Sequence, residues 1–498
     1  MQKTSNADIR KSGIWAFINK GGLEVSGFFF GIILARLIAP AEFGLLAMIQ
    51  VFVGLARFIQ NFGFAEALIQ SKRVNNKDYS TIFFFNLFIS LFLYVIFYLL
   101  APVFAEIYTQ PRLSYITRIL SLSFIINAFV SAHIVFLKKH FSFKKVAIID
   151  IVSILTNYAV SVTLAFLDYG VWAIVYGSLV MSIVKAILYW VYSGWRPTFY
   201  FSISVLKNLF HFGFFAFLNT VLNYFGRNVD NFMIGKLVGD TSLGHYNRAY
   251  KLMLLPLENI SGSIKQVMLP AMSESQDDKK NLHMLYLRST RILVFVLYPI
   301  FFGMWAVSEP FIFGVYGEMW KETIPMLKIL SFVGIIQGSS TFNSTLLYSV
   351  GKPHITFYLI LSFLPILLFA FYFGYQLAAI EGMIYAYLTY SFVFWLANMV
   401  IVQKVVKISL MGYFRNILPL LFSSFSMALL LKVGTNYLLS NTIPHILKLL
   451  ILVIGGIITY VSINIIFKMD AFHDFANQFP FVKKVPLLRL HFKKRNNE

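Results

Sequence analysis

The sequence predicts an all-α polytopic membrane protein, and three observations carry that prediction. It is 58% hydrophobic and only 13% charged, with a mean hydropathy of +0.72. Apolar segments long enough to span a bilayer, about 20 residues each, recur along nearly all 498 residues. The basic residues gather in every second gap between those segments. Helices satisfy their own backbone hydrogen bonds in hydrocarbon, so the spans are expected to be helical.

Roughly fourteen spans follow in order. The first six cover residues 12–36, 42–64, 79–101, 113–137, 146–167 and 171–193. The next six cover 209–238, 241–268, 286–308, 322–350, 355–375 and 380–402. Two more follow at 414–436 and 444–467. The first carries Lys20 and Glu24 one turn apart, with Gly27 and Gly31 continuing that face. The second carries Gln50, Gly54, Arg57 and Asn61 at steps of four, three and four, again one face. Asp150 and Asn157 on the fifth fit core hydrogen bonding. The seventh carries Asn219, Asn223, Arg227 and Asp230, and the eighth carries Asn247, Arg248, Lys251, Glu258 and Lys265. Positions 251, 258 and 265 are seven apart and are expected on one face. On the tenth, Gln337, Ser340, Thr341 and Ser344 form a milder polar stripe. Lys185, Lys328 and Lys448 are expected to snorkel to headgroups.

Charge sets the orientation. Arg10 and Lys11, Lys72 and Arg73, the group from Lys138 to Lys145, Lys279 and Lys280, and the tail from Lys468 to Arg495 fall on one side of the fourteen-span plan. The positive-inside rule then places both termini in the cytoplasm. The tail mixes bulky apolar and basic residues; an ordinary positive-inside tail is favoured over a headgroup-binding one. The net charge of +21 is spread over these loops rather than massed for nucleic acid. Residues 1–12 are polar, and the first apolar run is too long for a signal-peptide core. Cysteine is absent, which removes disulfides and thiolate chemistry. No phosphate-cradling loop or nucleophile elbow occurs, and the loops are too short for a catalytic domain, so no enzyme, no metal and no cofactor are expected.

The sequence repeats with an offset of 200. Gly13, Ala16, Phe17 and Asn19 fall on Gly213, Ala216, Phe217 and Asn219, and Gly44 falls on Gly244. Six spans per half make the repeat parallel. The expected domains are an N-terminal lobe at 1–205, a C-terminal lobe at 206–405, two further helices at 406–470 and a basic tail at 471–498. Transporter halves related in this way place a substrate path between them.

A charge at a helix centre costs at least ~2.5 kcal/mol in a membrane and usually faces a bundle interior or a wet path. Lys20 with Glu24, and Arg227 with Asp230, can be read as pairs that only fix helix packing. Polar helices in corresponding positions of both halves favour a shared cavity instead. Its expected cations are Lys20, Arg57, Arg227, Arg248 and Lys251. Glu24, Asp230 and Glu258 are candidates for gating or for coupling to H+ or Na+. Asn19, Gln50, Asn61, Asn219, Asn223, Asn247 and Gln337 are the polar lining. Cations outnumber acids, which favours an anionic passenger such as a diphosphate.

Two stretches carry a family resemblance. One runs from Gly31 through Arg36, Pro40, Glu42 and Gly44 to Gln70. The other joins Asp230, Asn231, Gly235 and Lys236 to Gly244, Tyr246, Asn247, Arg248, Tyr250, Lys251 and Pro256, and ends at Pro270. The chain resembles the polysaccharide-exporter branch of the multidrug/oligosaccharidyl-lipid/polysaccharide exporter superfamily, most closely its colanic acid and teichuronic acid exporter group. The resemblance implies two six-helix lobes around a central cavity, with the two extra helices lining a lipid-tail groove. It also implies a bacterial inner-membrane flippase that turns undecaprenyl-diphosphate-linked oligosaccharides outward by alternating access, for O-antigen, capsule or exopolysaccharide synthesis. Membrane lipids, a polysaccharide polymerase and glycosyltransferases would be its partners. The rival readings are a multidrug or cation antiporter, which needs an acid-rich cavity, and a glycan polymerase or acyltransferase.

Overall fold

The computed structural model describes residues 6–61, 68, 74–435 and 443–478. All regular elements among them are helical. In order they are α1 (Asn6–Leu37), α2 (Pro40–Asn61), α3 (Asn76–Ile107), α4 (Arg112–Lys139), α5 (Phe143–Phe166), α6 (Val171–Ser193) and α7 (Ile203–Leu237). Then follow α8 (Asp240–Pro256), α9 (Gly262–Glu274), α10 (Lys279–Phe311), α11 (Thr323–Ser339) and α12 (Thr341–Ser349). The series closes with α13 (Pro353–Val406), α14 (Leu410–Val433), α15 (His445–Ile466) and α16 (Asp470–Gln478). Eleven helical runs among the described residues have the length and apolar composition to cross a membrane. The helices at 203–237 and 240–256 are not in that set. The basic stretch at 481–495 lies outside the described residues.

Local chemistry sets the ends. Asn75 and Asp78 form a reciprocal capping box at the start of α3 (3.0 and 2.9 Å). Asp278 caps α10 by accepting from the backbone of Lys280 and Asn281. The spans expected at 355–375 and 380–402 appear as one run, α13, broken at Ala378 and Ala379, where φ reaches 45°. Gly374 and Gly382 face each other across the break. A Cβ on either would come within 2.5 Å of the other's carbonyl oxygen, so only glycine lets the two arms approach.

The chain forms two compact units, Met1–Gly244 and His245–Glu498. In the first, α3 packs on α4, α5 on α6, α1 on α5, and α2 on α7. An aromatic cluster of Tyr79, Phe83 and Trp195 helps fill the space between α3 and α4. In the second, α10 is the central helix, packed against α11, α14 and α15.

One contact carries the mark of the repeat. A Cβ at Gly44 would sit 1.8 Å from the carbonyl oxygen of Asp240, and a Cβ at Gly244 would sit 2.0 Å from that of Pro40. The two contacts exchange under the 200-residue offset, as a local two-fold relation between the starts of α2 and α8 requires.

Candidate functional site

In the first unit the polar stripes of α2 and α7 are docked by a residue that belongs to neither. The Tyr224 hydroxyl donates to the carbonyls of Gln50 (2.8 Å) and Val51 (3.0 Å). It fits because position 54 is glycine, where any Cβ would lie 2.0 Å from that hydroxyl. Phe58 meets the Tyr224 ring edge-on at 5.2 Å. Gln50 and Arg57, flanking Gly54 on the same face, are exposed, as are Asn223 and Arg227 on α7. Among the described residues no carboxylate lies within ion-pair distance of Arg57. Asp230 is 3% exposed and its Oδ1 accepts from the backbone N–H of Asn231 (2.8 Å). The side chains of Asn61 and Asn219 lie outside the described residues. Polarity finds the stripes, but an aromatic residue off the stripe joins them.

Lys20 and Glu24 pair on α1 at 3.9 Å, with side chains 60% and 41% exposed. Asn19 does something different: its Nδ2 donates to Asp150 Oδ2 at 3.1 Å. Asp150 Oδ1 receives Lys185 Nζ at 2.9 Å and the Tyr189 hydroxyl at 3.2 Å. Lys185 was expected to reach for headgroups; it is instead the ion-pair partner of Asp150, because α6 packs on α5 and brings the two charges together. Lys448 also departs from that expectation. It is buried, 8% exposed.

In the second unit the Arg248 guanidinium lies over two rings, Trp320 at 4.8 Å and Tyr316 at 5.1 Å. His245 Nδ1 bonds Thr323 Oγ1 at 2.9 Å and its ring meets Trp320 edge-on. Asn247 is partly buried and Lys251 is exposed; among the described residues no carboxylate pairs with Lys251. Gln337 Nε2 donates to the Tyr387 hydroxyl at 3.1 Å. The expected common face of 251, 258 and 265 does not survive. A π turn, Leu257–Ser261, follows Pro256 and contains Glu258. Its wider winding rotates α9 away from the register of α8.

The second unit also holds an apolar groove of 570 Å³. Its walls come from α10 (Pro299, Gly303, Val307), α14 (Met427, Leu431) and α15 (Leu452, Gly456, Tyr460). Thus the two helices expected at 414–436 and 444–467 line an apolar groove, with α10 as its third wall.

Comparison with known proteins gives a consistent outcome. Residues 33–325 match the polysaccharide biosynthesis protein family. The chain is 28% identical over 365 residues to teichuronic acid biosynthesis protein TuaB of Bacillus subtilis (strain 168), covering 73% of this chain and 76% of that one. It is 26% identical to lipopolysaccharide biosynthesis protein WzxC of Escherichia coli (strain K12), covering 85% and 82%. It is 25% identical to succinoglycan biosynthesis transport protein ExoT of Rhizobium meliloti (strain 1021), covering 72% and 73%. In fold it is similar to lipid II flippase MurJ in an inward closed conformation. That match has a TM-score of 0.71 and 15% identity, and covers 93% of this chain and 99% of that one. An inward-facing multidrug resistance transporter of the MATE family gives a TM-score of 0.60 at 15% identity, covering 76% and 94%.

Proposed function

The chain belongs to the polysaccharide biosynthesis protein family, and from that premise we propose that it is a flippase for polyprenyl-diphosphate-linked oligosaccharides. It would work in the bacterial inner membrane by alternating access, with both termini cytoplasmic and with glycosyltransferases and a polymerase as pathway neighbours. The observation that carries the reading is the pair of accessible cations, Arg57 and Lys251, that have no carboxylate partner among the described residues. An intramembrane charge left unneutralised by the protein is costly unless water or a counter-ion meets it. A diphosphate is such a counter-ion. Guanidinium and ammonium groups bind phosphoryl oxygens through short charge-assisted hydrogen bonds. The apolar groove supports the same reading, since a prenyl tail can stay against it while the headgroup crosses. Lys20, Arg227 and Arg248 would assist, and Glu24, Asp230 or Glu258 would couple H+ or Na+ if the cycle is driven.

The test is translocation by the purified protein in sealed vesicles, with a fluorescent undecaprenyl-diphosphate oligosaccharide as cargo. Arg57→Ala and Lys251→Ala are each expected to slow transfer by about tenfold or more, the loss of roughly one charge-assisted contact, with normal insertion and melting. Wild-type transfer rates in both variants would remove the cationic path from the mechanism.

A further inference from the structure

The flippase reading leaves the last described helix without a role. α16 lies against α10 through two carboxylates. Asp474 pairs with Arg291, and its Oδ1 is 3.6 Å from Arg288 Nε. Asp470 Oδ2 is 3.9 Å from Arg291 Nη1. Two aromatic rings back the ion pairs: Phe472 and Phe475 meet Phe295 at 6.2 and 5.2 Å. Phe475 also walls the apolar groove. Next to α16 is a second cavity, of 440 Å³, walled by Arg291, Arg415, Asn416, Lys468 and Asp470 among others. A groove suited to hydrocarbon therefore ends beside a pocket rich in cations, and one short helix touches both.

We infer that Arg291 and Arg415 form a docking site for the diphosphate of the lipid-linked cargo, and that α16 is a lid whose Asp470 and Asp474 hold the arginine charge until that diphosphate displaces them. The inference rests on the flippase reading, which supplies a diphosphate joined to a long apolar tail. The two sites match those two parts in kind and in adjacency. The positive-inside orientation puts the pocket at the cytoplasmic face, where the cargo would be loaded.

Charge explains the exchange. A pair of carboxylates and a diphosphate both present oxygens that a guanidinium fork can take two at a time. Arg291 Nη1 donates to Asn416 Oδ1 at 2.9 Å, while its Nε is buried without a hydrogen-bond partner among the described residues. The lid thus leaves one donor of that guanidinium unused. Arg415 is exposed, and among the described residues it has no carboxylate partner. The groove cannot supply the selectivity, because a tail gains little on leaving lipid for an equally apolar wall. The headgroup pocket must therefore decide which lipid stays.

The experiment counts lipid retained by the full-length protein in native mass spectrometry, with undecaprenyl diphosphate in one arm and phosphatidylglycerol in the other. Asp470→Asn with Asp474→Asn, which keeps shape and removes the lid's charge, is expected to raise undecaprenyl diphosphate retention about tenfold and to leave phosphatidylglycerol unchanged. Arg415→Gln is expected to lower it about fivefold, a smaller change because that side chain is exposed. A lid that only braces the fold would give the opposite result for the double variant: a lower melting temperature and no gain in retention. Equal gains for both lipids would reduce the pocket to an ordinary anionic-lipid site and overturn the inference. If the double variant does not fold, Arg415→Gln decides, and unchanged retention there overturns it. Wild-type transfer in sealed vesicles separates the failures. Transfer with unaltered capture defeats the lid alone, and no transfer at all defeats the flippase reading and the lid together.

Discussion

Asp150 and Arg57 are charges of opposite sign in the same unit, both in helices long and apolar enough to cross a membrane, and the protein treats them differently. Asp150 is fully used. Lys185, Tyr189 and Asn19 all reach it, drawing α6 and α1 onto α5. Arg57 is accessible and has no carboxylate partner among the described residues; the hydroxyl of its neighbour Tyr224 already donates to the α2 backbone. An intramembrane charge therefore means two things. Satisfied within the protein, it holds helices together. Left open, it needs water or a counter-ion to meet it. The contrast is sharpest if Asp150 is removed, because Lys185 is then a partly buried cation with no counter-charge. Asp150→Ala is expected to cost about 3 kcal/mol, the low end for breaking a buried pair because Lys185 keeps 26% of its side chain exposed. Thermal melting in detergent measures this, and joint replacement of Asp150 by Leu and Lys185 by Met should recover most of it. If the single variant melts like wild type, the Asp150 network holds nothing.

The Arg57 side of the comparison depends on the α2–α7 dock. Gly54→Ala would push a methyl group to 2.0 Å from the Tyr224 hydroxyl and 2.6 Å from its Cζ. Overpacking of that kind costs about 2 kcal/mol, and the ring must leave, taking its two backbone hydrogen bonds with it. The variant should melt lower and also transport poorly, since Arg57 lies one turn away. Shortening the ring by Tyr224→Ala in the same protein should restore melting better than transport. Recovery of both together would mean that the dock positions nothing.

How far these features could be read in advance follows from how local they are. The spans, their order and the stripes at Gln50–Arg57 and Asn223–Asp230 come from a helical period within one segment, and the sequence carries that period directly. The equivalence of Gly44 and Gly244 was legible because the repeat aligns the two positions; that their helix starts meet was not, since the repeat does not say which segments touch. The partnership of Asp150 with Lys185 is not local, because nothing in either segment states which neighbouring helix will face it. Tyr224 was hidden by chemistry; an aromatic residue in an aromatic-rich chain looks like lipid-facing bulk until glycine is found opposite its hydroxyl. The π turn after Pro256 moved Lys265 off the face expected for Lys251 and Glu258 for a third reason. Proline signals a disturbance of the helix but does not say how many residues the next turn will hold.

Glu42 and Arg112 allow burial to be isolated from partnering. Their bond is bidentate, 2.7 and 2.9 Å, and Glu42 Oε2 also accepts from the backbone N–H of Val171 at 2.8 Å. Like Asp150, Glu42 is fully partnered. Unlike Lys185, Arg112 keeps 52% of its side chain in contact with solvent. Solvent screening weakens such a pair, and exposed ion pairs are typically worth about 0.2–1 kcal/mol. Arg112→Gln should then lower the melting temperature only slightly, and raising the salt concentration should shrink even that difference, since exposed charges are screened within about 10 Å at 0.1 M. Glu42→Gln should cost more, because it weakens the acceptor for the start of α6 as well as the ion pair. Should Arg112→Gln destabilise the protein as much as Asp150→Ala, partnering rather than burial sets the energy of these charges. Arg57 would then be expected to destabilise the resting protein simply by lacking a partner, and replacing it with Leu should raise the melting temperature while abolishing transfer.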